Sequence, residues 1–182
     1  EYGRRYPQSR KKFLEHGVTT IQSLGDPHPR IIGLSNKIAN NELAGPRIFS
    51  AGPILTAPDG HPVSTIYDGN SWLIENATRQ LEDTARAKKV VQNLEKDGVD
   101  KIKVVYSAGP DSTLPRMKYE VLDAIVQEAH QQELRVVAHI SSRYDIKDVL
   151  RAGADGIEHI AHNMDDSPEL FDNMAAEDFY VV

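Results

Sequence analysis

Apolar residues recur along this chain in two rhythms that take turns. One is a helical stripe, with apolar positions three and four residues apart. The other is a short β-branched run bounded by glycine or proline. Residues 9–17 (SRKKFLEHG) predict a helix closed at Gly17, a natural C′ position. Residues 18–24 (VTTIQSL) predict a strand. Residues 29–45 predict a second helix, with Pro29 at its start and Gly45 beyond its end. Residues 47–52 (RIFSAG) predict the next strand. Residues 52–76 are rich in Pro, Gly, Asp and Asn and predict a long loop. Residues 77–97 predict one long helix stopped by Gly98, with Leu81, Ala85, Val90, Val91 and Leu94 as an imperfect stripe. A strand over 101–107 (KIKVVYS) follows. Residues 115–132 then predict an amphipathic helix with Val121, Leu122, Ile125, Val126 and Ala129 inward. A strand over 135–140 (RVVAHI), a short helix over 145–152 and a strand over 156–161 (GIEHIA) come next. Ser167 and Pro168 open a helix carrying Leu170, Phe171 and Met174, and residues 179–182 (FYVV) begin a last strand.

Strands alternating with helices predict one α/β domain over residues 1–182, with a parallel sheet of about six strands and helices outside. Two architectures meet that description. One is a partial TIM (β/α)8 barrel, since a closed barrel takes roughly 30 residues per unit. The other is an open doubly wound sheet. No GxGxxG or P-loop follows a strand, which disfavours the nucleotide-binding version of the second.

Composition narrows the partners. The formal net charge of -6, with no block of like charge, argues against nucleic acid or an anionic membrane. The absence of cysteine excludes disulfides and thiolate metal sites but leaves the compartment open. No apolar run is long enough to span a bilayer, and the charged stretch EYGRRYPQSRKK stands where a signal peptide would be. The first residue is Glu1 rather than Met, so a processed or partial chain is expected.

Three polar residues interrupt the apolar strands near their C-terminal ends: Lys103, His139 and His159. A parallel barrel collects such positions in one pocket. Histidine offers a neutral imidazole nitrogen to Zn²⁺ and similar ions. A buried lysine is costly unless its charge is paired or removed. A neutral amine can take up CO₂ as a carbamate, an anionic oxygen ligand able to bridge two metals. The bland alternatives are hydrogen-bonded strand histidines and an ion pair between Lys103 and Glu158. Lys101 is expected to point away from Lys103 as a solvated lysine, and Glu158 away from His159. Tyr106 and Ser107 follow Lys103 toward the same rim. His28, between two prolines, is expected as an exposed turn residue, and His16 and His130 as helix-end residues without chemistry. Asp26 is expected as a cap or turn residue, and Asp165 and Asp166 as a solvated loop.

The segments GVTTIQSLGD, GPRIFSAG, GVDKIKV, VVAHI and GADGIEHIAH occur in an order that resembles the amidohydrolase superfamily, closest to its prolidase-like and imidazolonepropionase-like branch. The resemblance runs over essentially the whole chain. It implies a metal-dependent (β/α)8 barrel that hydrolyses C–N bonds in amides, cyclic amides or dipeptides. It matches Lys103 to the carboxylated bridging lysine of the fourth strand, His139 to the metal histidine of the fifth and His159 to that of the sixth. Gly60 and His61 resemble the Gly-His of the loop after strand three, which in relatives lies over the substrate. His61 is thereby expected to touch substrate; Tyr106 is expected there from its place at the rim, and His162 as a substrate-facing residue with a plain loop histidine as the alternative. The cofactor implied is a divalent metal, zinc by preference, one or two ions in the intact protein.

The departures are as informative. No HxH pair precedes Gly17, and HIAH (159–162) has different spacing. FYVV resembles the seventh strand, so the general-base Asp of the eighth is expected beyond Val182. Ser141 stands where dipeptidase-like members carry Tyr, which counts against a peptidase. The 182 residues alone are therefore expected to be catalytically inert. The alternative reading is a non-catalytic barrel-derived module that binds a partner or assembles with itself through exposed sheet edges. A Schiff-base lyase using Lys103 is a third reading, which leaves both histidines unexplained.

Overall fold

The computed structural model describes residues 2–109, 113–161 and 168–182, with side chains from residue 9 onward. Helix α1 (Tyr2–Glu15) leads into β1 (Thr20–Ser23), α2 (His28–Ala39) and β2 (Arg47–Ser50). Then come β3 (Ile54–Thr56), α3 (Ser71–Ala77), β4 (Thr78–Gln80) and α4 (Thr84–Lys96). The remainder repeats one phrase: β5 (Lys101–Val105), α5 (Tyr119–Gln131), β6 (Arg135–His139), α6 (Arg143–Arg151), β7 (Gly156–Glu158), α7 (Pro168–Ala176) and β8 (Tyr180–Val181).

All strand pairs are parallel. β1 pairs with β2, and six strands form a second sheet in the order β4-β3-β5-β6-β7-β8. Asp100 and Ser50 stitch the two sheets together. The Asp100 N–H donates to the Ser50 carbonyl (2.8 Å), and the Ser50 N–H donates to Asp100 Oδ2 (2.7 Å). From β5 to β8 the strand order follows the chain, without the reversal a doubly wound sheet requires. The described strands do not close into a barrel.

Residues 52–97 differ from expectation. The loop contains β3 and α3, and the long helix is β4 followed by the shorter α4. Asn70 caps α3 by accepting the Leu73 N–H (3.1 Å), and Asp83 caps α4 by accepting the Arg86 N–H (2.8 Å). Residues 78–80 are extended because they pair with β3, a tertiary contact that no periodicity announces. The short helix also starts earlier than expected. Ser142 and Asp145 form a capping box that fixes Arg143 as the first residue of α6.

The sheet has two unlike faces. Ile102, Val104, Tyr106, Val136, Ala138, Ile140 and Ile157 enter one core with Val91 and Leu94 of α4 and Val121, Leu122 and Ile125 of α5. Alternation sends Lys101, Lys103, Val137, His139, Gly156 and Glu158 to the opposite face. Lys101 therefore shares the face of Lys103, contrary to expectation, because residues two apart in a strand always do. Its Nζ donates to Gln22 Oε1 of β1 (2.6 Å) and lies 5.7 Å from the centroid of the Tyr180 ring.

Gly156 sits where that face is tightest. A Cβ there would lie 2.7 Å from the Tyr180 carbonyl oxygen and 2.8 Å from its ring. Gly156→Ala is expected to lower stability by about 1–3 kcal/mol through overpacking, read by denaturant unfolding. Wild-type stability in that variant would contradict the β7–β8 packing.

Candidate metal centre

Strand register delivers the site. Val105 of β5 pairs with His139, and His139 pairs with Glu158 of β7, so the ends of three adjacent strands lie side by side. Lys103 is two residues back from Val105 on the same face. His159 follows β7 with φ +80°, a left-handed conformation that costs energy outside glycine. That turn brings its ring against His139 edge-on, with centroids 5.0 Å apart. His61 arrives from the segment after β3. Thr56 Oγ1 donates to the His61 carbonyl (2.6 Å), His61 Nδ1 and Thr65 Oγ1 share a hydrogen bond (2.7 Å), and the ring stacks on His139 at 4.9 Å. His61, His139 and His159 thus stand in one row beside Lys103.

Burial lowers the basicity of this cluster. Lys103 is only 5% exposed, and burial pushes its amine down to about 8 against the pull of Glu158. Burial pushes His139 down to about 4, helped by His61, Lys103 and His159. His61 is lowered by burial, His159 and Lys103. At neutral pH His139 is therefore an unprotonated imidazole, the form in which histidine binds a metal. Glu158 faces the same side, buried, and its Oε1 has no hydrogen-bond partner. The expected Lys103–Glu158 pair is thus not closed through that oxygen.

Other expected residues lie elsewhere. Tyr106 is not brought to the mouth. It points into the core, its hydroxyl donates to Asp148 Oδ2 of α6 (2.9 Å), and the Arg116 guanidinium lies 4.0 Å from its ring centroid. Burial, the hydrogen bond and the neighbouring carboxylates push its phenol well above the ordinary range. Ser107, one residue on, takes the pocket-side parity, and its hydroxyl bonds that of Ser141. His162, Asp165 and Asp166 lie outside the described residues. His28 is buried rather than exposed, with Nε2 3.0 Å from Asp97 Oδ2. His130 lies 3.1 Å from Asp155, His16 bonds the Lys12 carbonyl, and Asp26 accepts from Ser23 within its turn. Arg116, Asp145 and Asp148 carried no sequence signal, because their grouping joins a loop to the far side of α6.

The donor types suit a divalent ion: the imidazoles of His139 and His159, the first held neutral, beside a buried amine of lowered basicity. Among the described residues no three His, Asp or Glu side chains are disposed to hold one ion. No described helix is long and apolar enough to cross a membrane.

The model of the amidohydrolase family matches residues 5–180. No curated protein matches the chain. Among solved structures, an Xaa-Pro dipeptidase with bound methionine is 27% identical (TM-score 0.74), over 91% of this chain and 42% of that one. A prolidase complexed with N-methylphosphonate-L-proline is 24% identical (TM-score 0.80), over 98% and 45%. The A. niger ochratoxinase is 20% identical (TM-score 0.83), over 98% and 44%. The chain spans less than half the length of each of these structures.

The buried amine makes a pH prediction. Between pH 8 and 10 the unfolded chain keeps the Lys103 proton and the folded chain has lost it, so this group makes stability rise with pH. In Lys103→Met that contribution, on the order of 2 kcal/mol across the window, is expected to vanish. Unfolding midpoints at pH 8, 9 and 10 read it, and identical slopes in both proteins would contradict a buried amine.

Proposed function

The chain belongs to the amidohydrolase family, and from that premise we propose that its histidine–lysine mouth is the metal centre of a hydrolase acting on carbon–nitrogen bonds. The observation that carries the reading is the meeting of a buried amine, lowered to about 8, with imidazoles whose ring centroids lie 4.9 Å apart where stacked and 5.0 Å apart where edge-on. Lys103, His139 and His159 would hold a divalent metal, zinc by donor type, as one or two ions in the whole protein. Such an ion supplies Lewis acidity toward a scissile carbonyl and an acidified water.

The chain's own groups do the rest. Lys103 as a free amine adds to CO₂. An N–C bond forms, a proton leaves to solvent, and the resulting carbamate would offer two oxygens beside the imidazoles. His139 stays unprotonated through burial, helped by His61, Lys103 and His159. His61, pinned by Thr56 and Thr65, stands over the mouth to meet substrate. The rim of β5 presents Ser107 instead of Tyr106, whose hydroxyl is committed to Asp148. The substrate class is a small amide, cyclic amide or dipeptide-like molecule, in keeping with the prolidase and the Xaa-Pro dipeptidase among the similar structures.

The 182 residues contain no HxH ahead of Gly17 and no acid after β8, the groups that the family pattern uses for the second half of the site and for proton transfer. This chain by itself is expected to bind Zn²⁺ and to hydrolyse no amide. Calorimetric titration reads the first, with affinity at least about tenfold weaker in Lys103→Met and in His139→Gln. Unchanged affinity in both variants would overturn the metal centre, and steady metal-dependent amidase turnover would overturn the inert half-site.

A second reading keeps one observation in its favour. β1 and β8 each pair on one side only, and Phe49, Val18, Val181 and Val182 are exposed. A chain that binds no Zn²⁺ and dimerises with or without chelator, by size-exclusion mass, would favour a self-assembling module.

A further inference from the structure

Arg116 lies between β5 and α5, outside any helix or strand. Its contacts lead to the chain that leaves His139. Nη2 stands 3.2 Å from Asp145 Oδ1 and 2.8 Å from Asp148 Oδ2, and the guanidinium lies 4.0 Å from the Tyr106 ring centroid. Asp145 and Asp148 are three apart on α6, so their like charges share a face and repel without a cation between them. The Asp145 side chain is only 7% exposed, so its charge needs a partner.

Asp145 in turn fixes the chain just past His139. Its Oδ2 accepts the N–H of Ser141 (3.0 Å) and of Ser142 (2.8 Å) and the Ser142 hydroxyl (3.0 Å). On the other side, the Tyr106 N–H donates to the His139 carbonyl (2.9 Å), while the Tyr106 hydroxyl is tied to Asp148. One guanidinium therefore meets the carboxylate that pins residues 141 and 142 and the ring of the residue that pins the carbonyl of 139. A lysine ammonium has no planar face to lay on that ring while it pairs with both carboxylates.

We propose that Arg116 is a positioning residue for His139: by clamping Asp145, Asp148 and Tyr106 it sets the backbone from the His139 carbonyl through residue 142 and so aims that imidazole into the metal centre. This rests on the metal-centre reading for its consequence, but not for its test. Outer groups that orient a ligand commonly change metal affinity by about 10–100-fold when removed. Nothing in the clamp requires a metal to be present.

The experiment compares wild type, Arg116→Lys, Asp148→Asn and the control Val149→Ala, a core substitution on α6 that leaves the clamp intact. Three readouts are taken on the 182-residue chain. These are long-range ¹H–¹⁵N spectra of the histidine rings without metal, Zn²⁺ affinity by calorimetry, and the thermal midpoint. His139 is assigned by its loss in His139→Gln. Arg116→Lys and Asp148→Asn are expected to shift the His139 ring signals while leaving those of His16 unmoved. They are also expected to weaken Zn²⁺ about tenfold. Val149→Ala is expected to lower the midpoint without either effect. Should Arg116→Lys fail to fold, Asp148→Asn decides alone. His139 signals unchanged in the clamp variants, or moved equally by Val149→Ala, would overturn the proposal. A wild type that binds no Zn²⁺ sinks the metal centre instead, and the ring signals still decide the role of Arg116.

Discussion

Parallel register between β5, β6 and β7 is the constraint on which the site depends. In a parallel ladder the strand ends line up, and side chains alternate between faces. Pairing Val105 with His139 and His139 with Glu158 therefore places Lys103, His139 and Glu158 on one surface without any direct bond among them. A slip of one residue in β6 would send His139 into the helix-facing core and Ala138 to the mouth. The alternation that buries Ile102, Val104, Val136, Ala138 and Ile157 leaves no other face for the polar set. Core and site are two readings of one register.

Burial then does chemical work. Taking Lys103 out of water favours its neutral amine, and taking His139 out of water favours its neutral imidazole. Neither shift suits a structural role, since a charged lysine next to a buried carboxylate would normally close an ion pair. Here Glu158 keeps Oε1 unpartnered while burial lowers the basicity of Lys103. A surface that disfavours cationic side chains and supplies lone pairs is one that a metal ion can complete. His159 adds to it through a backbone conformation that histidine tolerates only at a cost, and sites that hold such strain are commonly functional.

Much of this was legible in the chain. Lys103, His139 and His159 stood out because each is polar within an apolar run, and the capping residues and glycines marked most helix boundaries. Residues 52–97 were less legible. β3 and β4 are three residues long, and their pairing, not their pattern, makes them strands. Burial of His28 depends on Asp97, distant in sequence, so no local signal announces it. Tyr106 looked like a rim residue, but an odd step from Lys103 puts it in the core. Lys101, two residues away, shares the face of Lys103 instead of opposing it. Both follow from the period of two, a rule available in the sequence. Glu158 was read relative to His159, whose left-handed backbone breaks the alternation that reading assumed. Arg116 reaches its carboxylates across a loop and a helix, which only the folded chain shows.

The most direct test of the account is an anomalous difference map at the zinc edge, from crystals of the chain grown with Zn²⁺. The account predicts the strongest peak among Lys103, His139 and His159, with added density on Nζ when bicarbonate is present. A map whose only peaks lie at other imidazole–carboxylate pairs, such as His28–Asp97 or His130–Asp155, would contradict it.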